Sequence, residues 1–215
     1  MKLPLLGVFE SPKIIANISI SATIGVILRI SQLAFGIAKE ELYMPSSHKI
    51  ETEEIVDLLN RCWMTHDGMW FYQCFREFGI EKANKLNKAA IKSLAPIEIK
   101  RIKKALGIEK EQFQTLEEVR DFFISAAELV IPDFMNAVMS FPGKDILHWE
   151  FKPKNCFAYK GMVRMGAIEQ YECGVIYRLE CWFDSLGIKH RVCPQINRCL
   201  MLSGDTCCGD FHFIF

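Results

Sequence analysis

The stretch "WMTHDGMWFY" places His66 and Asp67 between Trp63 and Trp70. A histidine exchanges a proton near neutral pH and can act as a general base. A carboxylate among apolar residues needs a partner, because an unpaired buried charge is costly. The following segment supplies Asn84, Asn87 and Lys88 at i, i+3 and i+4, which is one face of a helix. If the two segments are helices packed antiparallel, His66, Asp67 and Lys88 form a candidate catalytic group. Trp63, Trp70, Asn84 and Asn87 then form a candidate ligand-binding group. The competing reading is a satisfied polar network between two helices.

A second chemistry comes from nine cysteines, seven of them between Cys156 and Cys208. Cys181, Cys193, Cys199 and Cys208 are candidate ligands for a divalent metal, zinc, manganese or iron. None of their spacings is the short C-x2-C of a structural zinc knuckle. Cys207 and Cys208 are adjacent, so in a strand only one of them can face a given site. Core packing of small hydrophobes and disulfide pairing are the alternatives.

Positioning these groups requires a core, and a chain with half its residues hydrophobic can build one. The formal net charge is zero, which gives no electrostatic case for nucleic acid. The basic run "IEIKRIKKALGIEK" keeps Ile97, Ile102 and Leu106 on an apolar stripe, so its lysines read as a solvated helix face. No phosphate-binding glycine motif, G-x-S-x-G or H-E-x-x-H occurs.

Periodicity predicts a long helix from Ile50 to Gly79, capped at Thr52 and central to the fold because its apolar arc is wide. A second helix runs to Pro96, which ends or kinks it, and a third runs to Gly107. Thr115 and Glu118 form a capping box for a fourth, broken at Pro132. "DILHWEFKP" and "NCFAYKGMVRMG" read as antiparallel strands. "AIEQYECGVIYRLECWFDSLG" returns to helical spacing and stops at Gly187. "IKHRVC", "RCLMLS" and "DFHFIF" read as short strands. The expected class is α+β, a helical front half packed on a small antiparallel sheet, over a single domain at 50–215.

Residues 1–49 are set apart as a hydrophobic leader or extension and linker. Residues 14–38 are long enough to cross a bilayer, but Arg29 lies near their middle. Three readings stand: a separate N-terminal hydrophobic helix capping the domain, a membrane-associated segment, or an extension from an upstream start codon.

The run "WMTHDGMWFYQCFREFGIEKANKLNKAAIKSLAPIEIKRIKKALGI", with the ending "CLMLSGDTCCGDFHFIF", resembles a bacterial and archaeal family known only as a domain of unknown function. That family is distantly similar to L-2-amino-thiazoline-4-carboxylic acid hydrolases, mainly over the last 40 residues, through Cys181, Gly204, Cys208, Asp210, Phe211 and Phe213. A fainter likeness to 4-vinyl reductase ligand-binding domains lies in the α+β order and the cysteines. The hydrolase resemblance implies water opening a small cyclic amidine, with His66 or a cysteine-bound metal activating the water and Asp67 or Lys88 serving the leaving group. The reductase likeness implies a metal- or small-ligand-binding sensor without turnover, with an apolar pocket walled by Trp63, Trp70, Tyr72 and Trp149. The expected partner is a small molecule and the expected location cytoplasmic. Membrane association through residues 14–38 and self-association into a homo-oligomer stay open.

Overall fold

The computed structural model describes residues 50–215, and the leader expected over 1–49 lies outside the described residues. Glu51–Phe215 form one compact unit. Helix α1 spans Thr52–Phe78 and α2 spans Ile80–Ala105. Only Gly79 separates them, with φ 80 and ψ 168, a conformation open to glycine and strained for other residues. The N-cap of α1 is Glu51, one residue before the expected Thr52, and its amide donates to Glu54 Oε2 at 3.3 Å.

Pro96 neither ends α2 nor splits it. It lies on the exposed side, where water can satisfy the carbonyl a turn earlier that lacks its donor, while Ala95, Ile99 and Ile102 stay buried. Helix α3 is Leu116–Val130, and Thr115 Oγ1 accepts from the Glu118 amide at 3.3 Å. A 3-10 turn at Asp133–Met135 leads into β1, Ala137–Ser140. The chain continues through β2 (Ile146–Phe151), α4 (Phe157–Arg164), α5 (Gly174–Ser185), β3 (Lys189–Cys193), α6 (Leu200–Ser203) and β4 (Cys207–Ile214).

The fold is α+β, with an antiparallel four-stranded sheet in the order β1-β2-β4-β3. Alternation on β2 turns Leu147, Trp149 and Phe151 inward, and on β4 it turns Cys207, Gly209, Phe211 and Phe213 inward. This face packs with Phe122 and Phe123 of α3 and with Ile176 and Phe183 of α5 in the main core. A smaller core joins Phe71 and Cys74 of α1 to Ala83 of α2, Met162 of α4 and Tyr171.

Three further expectations about the elements are corrected. The segment 157–164 is a helix, because Phe157, Ala158, Gly161, Met162 and Met165 recur at helical spacing and line one cavity. Residues 200–203 form a helical turn in place of a strand. Helix α1 is peripheral. Among its residues Phe71 and Cys74 are buried, while Ile55, Leu59, Trp63, Met69 and Trp70 are exposed.

Candidate ligand cavity and thiol cluster

A cavity of about 570 Å³ lies between α1, α2, α4, α5 and the segment leading into β1. Its floor is apolar and built from buried Phe151, Met162, Leu179 and Trp182. Its rim includes the exposed side chains of Trp63, Asp67, Lys160 and Arg164. Asn87 and Arg178 add polar groups to the wall.

Arg178 is fixed from behind. Its Nε donates to Glu98 Oε2 at 3.1 Å, its Nη2 meets Glu98 Oε1, and Trp182 Nε1 donates to Glu98 Oε2 at 2.7 Å. A two-pronged guanidinium–carboxylate pair holds its geometry better than a single contact. The guanidinium carbon then sits 4.8 Å from the centre of the Trp63 ring, within cation–π range. Asp67 is exposed as a residue, but partial desolvation at the cavity edge pushes its carboxyl above the usual aspartate range, and the charges of Arg178 and His66 offset this in part.

The sequence candidates divide in the folded chain. Trp63, Asp67 and Asn87 line the cavity, whereas His66 and Trp70 are exposed and do not. Asn84, only 3% exposed, donates from Nδ2 to Gln170 O at 2.8 Å and accepts from the Glu172 amide at 3.2 Å. Lys88 Nζ meets Glu172 Oε2 at 2.5 Å. These two residues tie α2 to the segment entering α5, so they position the cavity wall. Of the aromatic residues expected to wall a pocket, Trp149 is fully buried against Phe211 in the sheet core.

The expected metal set does not converge. Cys181 is buried on α5, while Cys193 and Cys208 are exposed. Alternation on β4 turns Cys208 outward and Cys207 inward. Among the described residues no three His, Cys, Asp or Glu side chains stand at the spacing of a metal site.

A different group of cysteines does share one place. Cys156, Cys173, Cys199 and Cys207 all line a small apolar cavity of about 10 Å³. Cys156, Cys173 and Cys199 occupy the N-cap positions of α4, α5 and α6, and Cys207 opens β4. Burial pushes the Cys156 and Cys199 thiols up, Cys173 to about 12 and Cys207 to about 11. Opposing this, the amides of Ala158 and Tyr159 face the Cys156 sulfur, and those of Val175 and Ile176 face Cys173. Neither pair completes full hydrogen-bond geometry to the thiol. Two signals in the sequence bear on this group: Cys207 shares the parity of Phe211 and Phe213, and Cys173 directly precedes a helical pattern.

The amino-acid sequence matches no curated protein, and no solved structure matches it. The helical front half, which carries Trp63, Asp67 and Asn87 but none of the four clustered cysteines, falls within a stretch, residues 46–136, that matches the family of unknown function DUF6125.

Proposed function

We propose that residues 51–215 form a binding module for a small molecule with an apolar body and an acidic group. The carrying observation is the cavity of about 570 Å³, a size typical of small-ligand sites, with its apolar floor and sparse polar wall. Arg178 in the wall and Lys160 and Arg164 at the rim favour an anionic group, and Asp67 is the one carboxylate in the lining. Neither histidine nor cysteine lines the cavity. This agrees better with the non-catalytic sensor suggested by the 4-vinyl reductase likeness than with water activation by His66.

Gly161 gives a direct test. It lines the cavity, and a Cβ built there meets nothing within 4 Å. Gly161→Leu should fill the cavity without straining α4. The probe is the apolar anion anilinonaphthalene sulfonate, followed by its fluorescence, with thermal shifts recorded for a panel of aryl and alkyl carboxylates. The substitution should weaken binding at least about tenfold, the loss of about 1.4 kcal/mol, while the fold remains intact. Equal binding by the folded variant would sink the reading.

A hydrolase acting on a cyclic amidine or related C–N bond is favoured by one observation, the raised Asp67 carboxyl within the cavity. Such a group could hand a proton to a leaving nitrogen. Turnover of 2-amino-thiazoline-4-carboxylate that disappears in Asp67→Asn would support this second reading, and no turnover by the wild-type chain would remove it.

A further inference from the structure

Four of the nine cysteines, from four separate segments, border one cavity of about 10 Å³. It has room for about one water molecule. Two of them head helices of eight and twelve residues, so first-turn amides lie toward their sulfurs without completing hydrogen bonds to the neutral thiols. Such amides complement thiolate charge, and outer-shell donors of this kind commonly accompany metal-bound sulfur. The indole of Trp149 is an independent sign. It is fully buried, its Nε1 is without a hydrogen-bond partner among the described residues, and it stands beside Cys207. A neutral thiol is a weak acceptor for an indole N–H, whereas a thiolate is a strong one.

The same cluster adjoins the ligand cavity. Phe151, Ala158, Tyr171 and Val175 line both spaces. Cys156 and Cys173 begin α4 and α5, the two helices that supply Gly161, Arg164, Arg178 and Leu179 to the larger cavity. A pull on either N-cap sulfur therefore acts on the start of a cavity wall.

We propose that Cys156, Cys173, Cys199 and Cys207 form a thiolate site for a thiophilic metal centre, and that its occupancy is coupled to binding in the adjoining cavity. The coupling rests on the ligand-binding reading above, and the metal site does not. The sulfurs do not stand at single-ion spacing, so ligation requires them to swing inward around one ion or to embrace a larger iron–sulfur centre. Both use the same chemistry: four thiols lose their protons and donate to metal.

The test uses the full chain, purified without chelator or affinity metal and then reconstituted under reducing conditions. About one zinc per chain, or iron accompanied by acid-labile sulfide, supports the site and tells the two centres apart. Cobalt should give an intense sulfur-to-cobalt charge-transfer band. Cys173→Ser should abolish binding, and the exposed Cys193→Ser should retain it. If Cys173→Ser does not fold, the band intensity of the wild-type cobalt protein still counts the thiolates. No binding of zinc, cobalt or an iron–sulfur centre, or binding unchanged in a folded Cys173→Ser, overturns the site. For the coupling, anilinonaphthalene sulfonate is titrated with and without metal, and its Kd should change about fivefold or more. An unchanged Kd overturns the coupling. Failure of the probe to bind at all instead overturns the ligand-binding reading and the coupling with it, leaving metal content to judge the site.

Discussion

Each face of β4 carries a cysteine, and the two faces give it opposite surroundings. Inward are Cys207, Gly209, Phe211 and Phe213, all buried. Outward are Cys208, Asp210 and His212, exposed or half-exposed. The inner cysteine joins a thiol cluster and the inner aromatics pack tilted or edge-on against Trp149 and Phe183. The outer carboxylate pairs with His148 across the strand. Adjacent cysteines thus differ in surroundings because of a period of two. Chemistry on this strand is assigned by parity before it is assigned by residue type.

The sharpest break in this comparison is kinetic. Cys207 is buried, and its thiol is pushed up to about 11, so little thiolate exists at pH 8. Cys208 is exposed. Alkylation of the native chain, read by peptide mass spectrometry, should label Cys208 at least about a hundredfold faster, since about three pH units below its pKa the thiolate is scarce and burial slows access further. Comparable rates would mean that β4 does not hold this register.

The next effect is energetic. Phe211 is fully buried between Trp149 and Phe183. Phe211→Ala should cost about 3–5 kcal/mol in urea unfolding, through lost burial and a residual cavity. Its neighbour His212→Ala should fall within about 0.5 kcal/mol of wild type. Gly209→Ala follows, at about 2–3 kcal/mol by overpacking. An added Cβ would lie 2.4 Å from Trp149 Cη2 and 2.5 Å from the Cys193 carbonyl oxygen, and that backbone atom cannot rotate away. A neutral Gly209→Ala would show that β4 and the indole are farther apart than described.

The same parity explains what is legible in the sequence. The inward triplet Leu147, Trp149, Phe151 and the terminal strand stand out because alternation survives in six to eight residues. Strand β1 is hidden, since four residues cannot establish a period and its residues follow a strong helical run. Helix α4 reads as strand because its aromatic residues and bounding turns outweigh a short helical repeat. Of the candidate site, Trp63, Asp67 and Asn87 are legible as polar or aromatic residues on facing helices. Asn84 and Lys88 are legible as polar but not in their role, because their partners Gln170 and Glu172 lie more than eighty residues away. The thiol cluster is hidden for the same reason: Cys156, Cys173, Cys199 and Cys207 meet only through tertiary structure, and no local spacing announces them.

The cavity offers a pH-dependent contrast with the outer face. The Asp67 carboxyl is raised by desolvation, so the native state favours its protonated form more than the unfolded chain does. Its stabilising contribution is therefore full below the unfolded value, about 3.9, and is lost as pH rises through the higher native value. Asp67→Asn cannot ionise, so it should gain stability relative to wild type as pH rises from about 3 to neutrality, in parallel denaturant titrations. A constant difference across that range would remove the desolvated carboxyl from the account.

The smallest effect belongs to the outer pair. His148 Nδ1 and Asp210 Oδ1 stand 2.7 Å apart, with about a third of each side chain exposed (34% and 37%). Water competes for both groups, so Asp210→Asn should cost less than about 1 kcal/mol despite the short contact. Residue 210 lies beside Phe211, where truncation is expected to cost several times more, so the two variants compare opposite faces at neighbouring positions. Double-mutant analysis with His148→Gln isolates the pair from the strand. A coupling above about 2 kcal/mol would mean that the outer face is shielded from water, and the contrast between the two faces would then lie in polarity rather than in solvent access.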